Sequence, residues 1–322
     1  MILKEENMLK EKLTILVCSC DKYEDLWNPF FTLLKKYCSL HNVRILLNTE
    51  SLCFSFDNLH VECIHSPGEK RYGQRMLNAL AQVKTEYMLL LMDDFFLREP
   101  VDLNMIDQII EWMESDRKIA CFNFEATKAY SDWECDVYPG FRRLPPGNKF
   151  TLNMQAAIWR TSCLQKYWRP DVSPWEWEAY CNVLTIKHPG DKFYCAKDRS
   201  DRYINYGHYQ IGDLWGVVKG KWIIEDVQPL FEREGIEIDF SKRGNYIESQ
   251  SQGYFPSLDT RKDQFDTVFR CLGKRLFIQY FFFRIRCKVE MKLRKKVDIN
   301  YFAYLMNRAQ TRFLMQNQYK EE

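Results

Sequence analysis

The sequence predicts an α/β layer fold on a largely parallel sheet, extended by a basic helical appendage. Three observations carry this expectation. Short apolar runs alternate with segments of helical periodicity over the first 125 residues. Two of these runs end in acids, Asp21 after the first and Asp93-Asp94 after the fourth. The composition then turns basic and aromatic beyond a soft boundary near Tyr254 to Arg261.

Leu13 to Cys18 reads as a buried strand and Ser19-Cys20-Asp21 as the polar loop after it. Trp27 to Tyr37 has helical spacing, and Arg44 to Leu47 and Val61 to Ile64 are further short strands. Gly73 to Lys84 sets Met76, Leu77, Leu80 and Val83 on one face of a helix. Tyr87 to Met92 is apolar enough for a central strand, and Leu103 to Glu114 and Ile119 to Phe124 add a helix and a strand. Ligands of such sheets gather beyond the carboxyl ends of the strands, where Asp21 and the Asp93-Asp94 pair fall. Ser131 to Asn148, rich in Pro, Gly and aromatics, reads as a loop over the cleft, and Met154 to Arg160 as another strand. Ser173-Pro174-Trp175-Glu176 opens a helix with a Ser N-cap, Pro at the first position and Glu at the third, the capping-box pattern. His188 to Gln228 reads as mixed strands and turns. The chain divides into an α/β domain, residues 1–255, and the appendage, residues 256–322.

Composition excludes several classes. With 46% hydrophobic and 28% charged residues the chain is globular. Met1 to Lys12 lacks the apolar core of a secretory signal, and the 12 cysteines form no Cys-x-x-Cys pair, so reduced thiols in the cytoplasm are expected. Net charge is +2, yet between Arg270 and Lys296 ten Lys and Arg face the single acid Glu290, which leaves the remainder near −7. That balance disfavours a nucleic-acid partner. Leu276 to Phe283, inside the basic stretch, is too short to span a bilayer. Two readings stand for residues 270–296: a helix on the anionic inner face of the membrane, or a helix that packs its Phe side on the domain.

The chemistry centres on carboxylates. Two adjacent acids at the end of a buried strand repel each other and resist desolvation, a conflict that a hard divalent cation resolves. Mg²⁺ or Mn²⁺ would take its remaining ligands from water and from the phosphates of a substrate.

Around these residues a resemblance appears. Leu90-Leu91-Met92-Asp93-Asp94-Phe95-Phe96-Leu97 resembles the Asp-rich strand end of bacterial GT-A-fold glycosyltransferases (family 2-like) of surface polysaccharide synthesis. Ser19-Cys20-Asp21-Lys22-Tyr23 and Gly73-Gln74-Arg75-Met76-Leu77 are similar to the opening loop and the helix before the acidic motif. Met154 to Arg160, Ser173 to Glu178, Gly220-Lys221-Trp222 and Arg243-Gly244 extend the likeness over residues 13 to 245. The resemblance implies a GT-A fold, a Rossmann-like mixed sheet with helices on both faces. It also implies an inverting transfer of sugar from a nucleotide-diphosphate donor, a UDP-sugar by preference, to a glycan or lipid-linked acceptor. Carried over, Ser19, Asp21, Arg75 and Asp93 line the donor nucleotide, and Asp94, with Asp93, holds the metal. The acids here are adjacent where many GT-A enzymes have Asp-x-Asp.

An inverting displacement needs a carboxylate to take the acceptor's proton. Glu176 and Glu178 are the candidates, and on a helix they point about 200° apart. Glu178 is preferred, because Glu176 has the spacing of a capping residue. One of Trp159, Trp175 and Trp177 is expected to stack on acceptor sugar. His208 is a candidate late metal ligand, and Lys219, Lys221 and Arg243 are candidates for diphosphate oxygens. Two rivals remain: a sugar nucleotidyltransferase, for which the first strand lacks a Gly-rich loop, and a catalytically silent scaffold.

Overall fold

The computed structural model describes residues 11–40, 42–126, 138–144, 146–148, 150–188, 190–197, 203–205, 216–247, 266–278 and 281–282. Among these, eight strands form one sheet: β1 (Leu13–Cys18), β2 (Arg44–Asn48), β3 (Val61–Ile64), β4 (Tyr87–Met92), β5 (Ile119–Asn123), β6 (Phe141–Leu144), β7 (Ala157–Arg160) and β8 (Lys192–Ala196). Their order is β3-β2-β1-β4-β7-β5-β8-β6. The first four are parallel, β7 runs antiparallel to both β4 and β5, and β6 runs antiparallel to β8 at the edge. The sheet is therefore mixed, as the resemblance implies, rather than largely parallel.

Strand alternation builds two cores. Leu13, Ile15 and Val17 of β1, with Tyr87, Leu89 and Leu91 of β4, face α1 (Glu24–Tyr37) and α3 (Leu103–Ser115). Leu16, Cys18, Met88 and Leu90 face the opposite way, onto α2 (Tyr72–Gln82), α4 (Thr161–Tyr167) and α5 (Pro174–Tyr180). The period of two means a continuous apolar run serves both layers, which is why these strands read as unbroken hydrophobic stretches. Helices cover both faces, and the α/β, Rossmann-like architecture expected from the sequence is the one observed. A short helix α6 (Leu184–Lys187), the two-residue strands β9 (Val217–Val218) and β10 (Lys221–Trp222), and α7 (Ile224–Glu234) complete the body.

Two expectations need correction. The stretch 131–148 is not all loop: Phe141 and Leu144 are buried and Arg142 and Arg143 half-buried, so four residues pair as an edge strand within it. Met154 to Ala156 precede β7 instead of belonging to it. His208 and the basic run beyond Phe282 lie outside the described residues.

The first part of the appendage packs on the domain. Residues 266–278 are helical, with Val268, Cys271 and Leu272 buried in the second core. Lys187 donates to the Cys271 carbonyl at 3.1 Å, and Arg270 pairs with Asp171. Among the described residues, no helix is long and apolar enough to cross a membrane.

Candidate active site

The centre of the site is the carboxyl end of β4. Register fixes it, because β1 and β4 pair to their last residues, Cys18 opposite Met92, so Ser19 and Asp93 leave the sheet side by side. Ser19 donates its hydroxyl to Asp93, and the Trp27 indole N–H reaches both the Ser19 hydroxyl (2.7 Å) and Asp93 Oδ2 (3.2 Å). Asp93 is fully buried. Burial first and the Asp94 charge second push its carboxyl well above the usual carboxylate range, against the pull of Ser19 and Trp27.

Asp94 points elsewhere. Its Oδ1 is buried and has no hydrogen-bond partner. Burial raises its carboxyl to about 7, with its own backbone amide and the Arg243 charge opposing the rise. The β9–β10 hairpin presses on its backbone: Val217 N–H donates to the Asp94 carbonyl at 2.9 Å. Gly216 makes this approach workable, since a Cβ there would collide with the Asp94 carbonyl oxygen and its φ of 81° is in the left-handed region.

A cationic side chain closes the site. Arg243 follows a short 3₁₀ turn, Phe240–Lys242, capped by Asp239. It pairs with Asp25, donates to the Lys22 carbonyl at 2.6 Å and lies over the Tyr23 ring, 4.6 Å from its centroid. Tyr23 in turn feels the acidic pair: burial, then Asp94 and Asp93, push its phenol upward.

Asp21 and Arg75 belong to an adjoining network. The Asp21 carboxylate accepts from the Glu50 N–H (2.9 Å), the Ser51 hydroxyl (2.8 Å) and the Ser51 and Leu52 amides. Burial works against it, yet these donors hold it below the ordinary value. Glu50 answers by accepting from Asp21 N–H and from Arg75, whose guanidinium is buried and lies 5.5 Å from the Tyr72 ring centroid.

The two glutamates of α5 separate as their helical phase requires. Glu176 closes the capping box: its amide donates to Ser173 Oγ at 3.2 Å and its carboxylate accepts from Ser173 N–H at 2.8 Å. It also lines a cavity of about 350 Å³ with Asp266, Thr267, Phe269 and Arg270. Glu178 accepts from Met154 N–H at 2.7 Å, and burial raises its carboxyl to about 7 against that hydrogen bond. Because Leu90 pairs with Ala157, the chain three residues before Ala157 lies at the same end of the sheet as the chain three residues past Leu90. Met154 and Asp93 occupy those positions, so Glu178 is anchored at the acidic end of the sheet.

The tryptophans resolve differently from one another. Trp159 and Trp177 are fully buried, 6.3 Å apart between ring centroids, and Trp177 packs on Trp168. Neither presents a face to an acceptor, because each fills the layer between β7, α4 and α5. Trp175 is 40% exposed and is the one of the three with an open ring. Lys219 lies at the hairpin turn with φ of 53°, and Lys221 is exposed on β10.

Sequence reasoning missed Trp27, Glu50, Tyr23 and Gly216. Glu50 had a usable signal, as an acid just past the carboxyl end of β2, where the rule that flagged Asp21 applies equally. Trp27 had none, since only the fold turns its indole toward Ser19.

No protein-family model matches the chain, and comparison with curated proteins gives no match. Among solved structures, S. aureus TarS 1–349 aligns at 13% identity and TM-score 0.44, over 97% of this chain and 92% of that one. The same fragment in complex with UDP-GlcNAc aligns at 15% and 0.41 over the same shares. A cytidylyltransferase from Leptospira borgpetersenii serovar Hardjo-bovis aligns at 16% and 0.33, over 52% of this chain and 68% of that one. Likenesses of this size carry no functional argument, and the chemistry rests on the side chains themselves.

Proposed function

We propose that the protein transfers a sugar from a nucleotide-diphosphate donor, a UDP-sugar by preference, to a glycan or lipid-linked acceptor, with inversion. The observation that carries this is Asp94 Oδ1, a buried carboxylate oxygen with no partner, beside a second buried acid at the carboxyl end of the central strand. An unsatisfied buried carboxylate oxygen is costly in a folded protein, and a bound cation would satisfy it.

The donor set suits a hard cation. Among the described residues no group of three or more His, Cys, Asp and Glu could hold a metal. Mg²⁺ or Mn²⁺ held by Asp94, with Asp93 behind it, would take most of its shell from water and diphosphate oxygens. When bound, such an ion supplies positive charge to the departing diphosphate. Ser19 and Trp27 fix the orientation of Asp93, and Arg243 adds a permanent cation on the same side. Arg75 and Glu50, locked to each other and to the Asp21 loop, form the adjoining wall for the nucleotide.

Glu178 is the general base of this reading. A carboxylate raised to about 7 is matched to taking a proton from an acceptor hydroxyl near neutral pH. The acceptor oxygen attacks the anomeric carbon, its proton goes to Glu178, and the bond to the diphosphate breaks on the opposite face. Glu176, committed to the capping box, holds α5 in place, and Trp175 offers a ring for an acceptor sugar.

The test is release of nucleoside diphosphate from a panel of nucleotide sugars with Mn²⁺ or Mg²⁺ and a glycan acceptor. Metal-dependent release that Asp94→Asn abolishes supports the proposal. A protein that binds no nucleotide and turns over no donor would be a scaffold.

A further inference from the structure

The 266–278 helix changes character at Gly273. That residue takes φ of 73°, which bends the chain, because the left-handed region does not continue a right-handed helix. Before the bend one side of the helix belongs to the domain, with Thr267, Val268, Cys271 and Leu272 buried, while Phe269, at 44%, and Arg270 are exposed. After it, Leu276 and Phe277 are half-buried at the edge of the second core, and the remaining side chains turn outward. Ile278 is 44% exposed, Phe281 37% and Phe282 65%, and Lys274 and Arg275 are exposed beside them.

Large apolar side chains at this exposure, close together in the chain after Gly273, call for a cover. Charge decides which. Beyond the bend the sequence continues to Lys296 with nine further Lys and Arg, counted from Lys274, against Glu290. Two copies brought face to face through this segment would set like charges together, whereas an anionic bilayer neutralises them and takes up the apolar side chains. Nucleic acid would satisfy the charge and leave Ile278 and Phe282 in water.

We infer that the segment beyond Gly273 docks on an anionic lipid surface, with Ile278 and Phe282 entering the headgroup boundary and Lys274 and Arg275 on the lipid phosphates. The domain is then held to the membrane through a helix rooted in its own core by Val268, Cys271 and Leu272. This inference is independent of the transferase reading.

The test is co-sedimentation of the full chain with vesicles of phosphatidylcholine alone or with about a third phosphatidylglycerol. Binding is expected to the anionic vesicles alone and to weaken with added salt. Ile278→Ser/Phe282→Ser, which keeps the charge, and Lys274→Glu/Arg275→Glu, which keeps the apolar side chains, should each raise the lipid concentration for half-binding about tenfold or more. All four side chains are exposed, so the thermal transition should stay in place. Three outcomes overturn the inference: no binding to anionic vesicles, serine-variant binding equal to wild type, or a wild-type dimer in solution that the serine variant abolishes without vesicle binding in either. Retention on RNA with no vesicle binding overturns it as well.

Discussion

The acidic end of β4 and the glutamates of α5 hold their carboxylates in different ways. Asp93 is held by side chains, the Ser19 hydroxyl and the Trp27 indole, while Glu176 and Glu178 are held by backbone amides of Ser173 and Met154. In the first pair burial raises both acids, and Asp93 has side-chain donors where Asp94 Oδ1 has none; in the second, Glu176 is committed to the capping box and Glu178 is raised by burial. Asp93 and Glu176 are the members tied to neighbouring side chain or cap; Asp94 and Glu178 are both raised to about 7. A site that keeps one acid of each pair structurally committed leaves the other free for chemistry.

Substitutions can break this comparison. The largest effect is expected at Glu178: Glu178→Gln should lower turnover by about 10²- to 10⁴-fold with nucleotide binding unchanged. In the wild type, turnover should climb with pH until Glu178 is ionised near 7 and then level off. The same residue couples to stability. Its folded value is raised from 4.5 to about 7, so the folded protein holds a proton that the unfolded chain releases, and stability falls as pH rises through that window. Glu178→Gln, which keeps an acceptor for Met154, should therefore melt higher than wild type at pH 8 by about 2 °C or more while being inactive. Equal melting at pH 8 would mean that Glu178 is not strained.

Gly216→Val comes next. It places a side chain against the Asp94 carbonyl in a left-handed backbone, and should cost about 3 kcal/mol with loss of metal-dependent nucleotide binding. Ser19→Ala should cost about 1–3 kcal/mol, because it strips a donor from a buried acid. The smallest effect is at the anchored glutamate: Glu176→Ala should remove half of a capping box, about 1 kcal/mol in denaturant unfolding, with turnover near wild type. A collapse of turnover in Glu176→Ala instead would reverse the assignment of the two glutamates.

Much of the first half was legible in the sequence because its strands are buried on both faces. Unbroken runs such as Tyr87 to Met92 have one interpretation, and the acids at their ends follow from sheet topology. The capping box was legible for a similar reason, since its residues are local and their spacing is the mechanism. What stayed hidden depends on tertiary contact. Trp159 and Trp177 have the composition of a sugar platform and the location of a core, and no periodicity distinguishes the two. Strand β6 is four residues long at a sheet edge, inside a segment whose Pro and Gly content masks it. The link from Glu50 to Arg75 spans 25 residues and exists only once β2 and α2 are neighbours.

On the proposed function, Asp94 supplies the ligand for a metal-bound nucleoside diphosphate. Thermal shift with a panel of nucleoside diphosphates, with and without Mn²⁺, on wild type and Asp94→Ala tests it most directly, since a ligand of the folded state raises the melting temperature. One diphosphate is expected to stabilise the wild type only when metal is present, with no shift in Asp94→Ala. Stabilisation without metal, an undiminished shift in Asp94→Ala, or no shift with any diphosphate would contradict it.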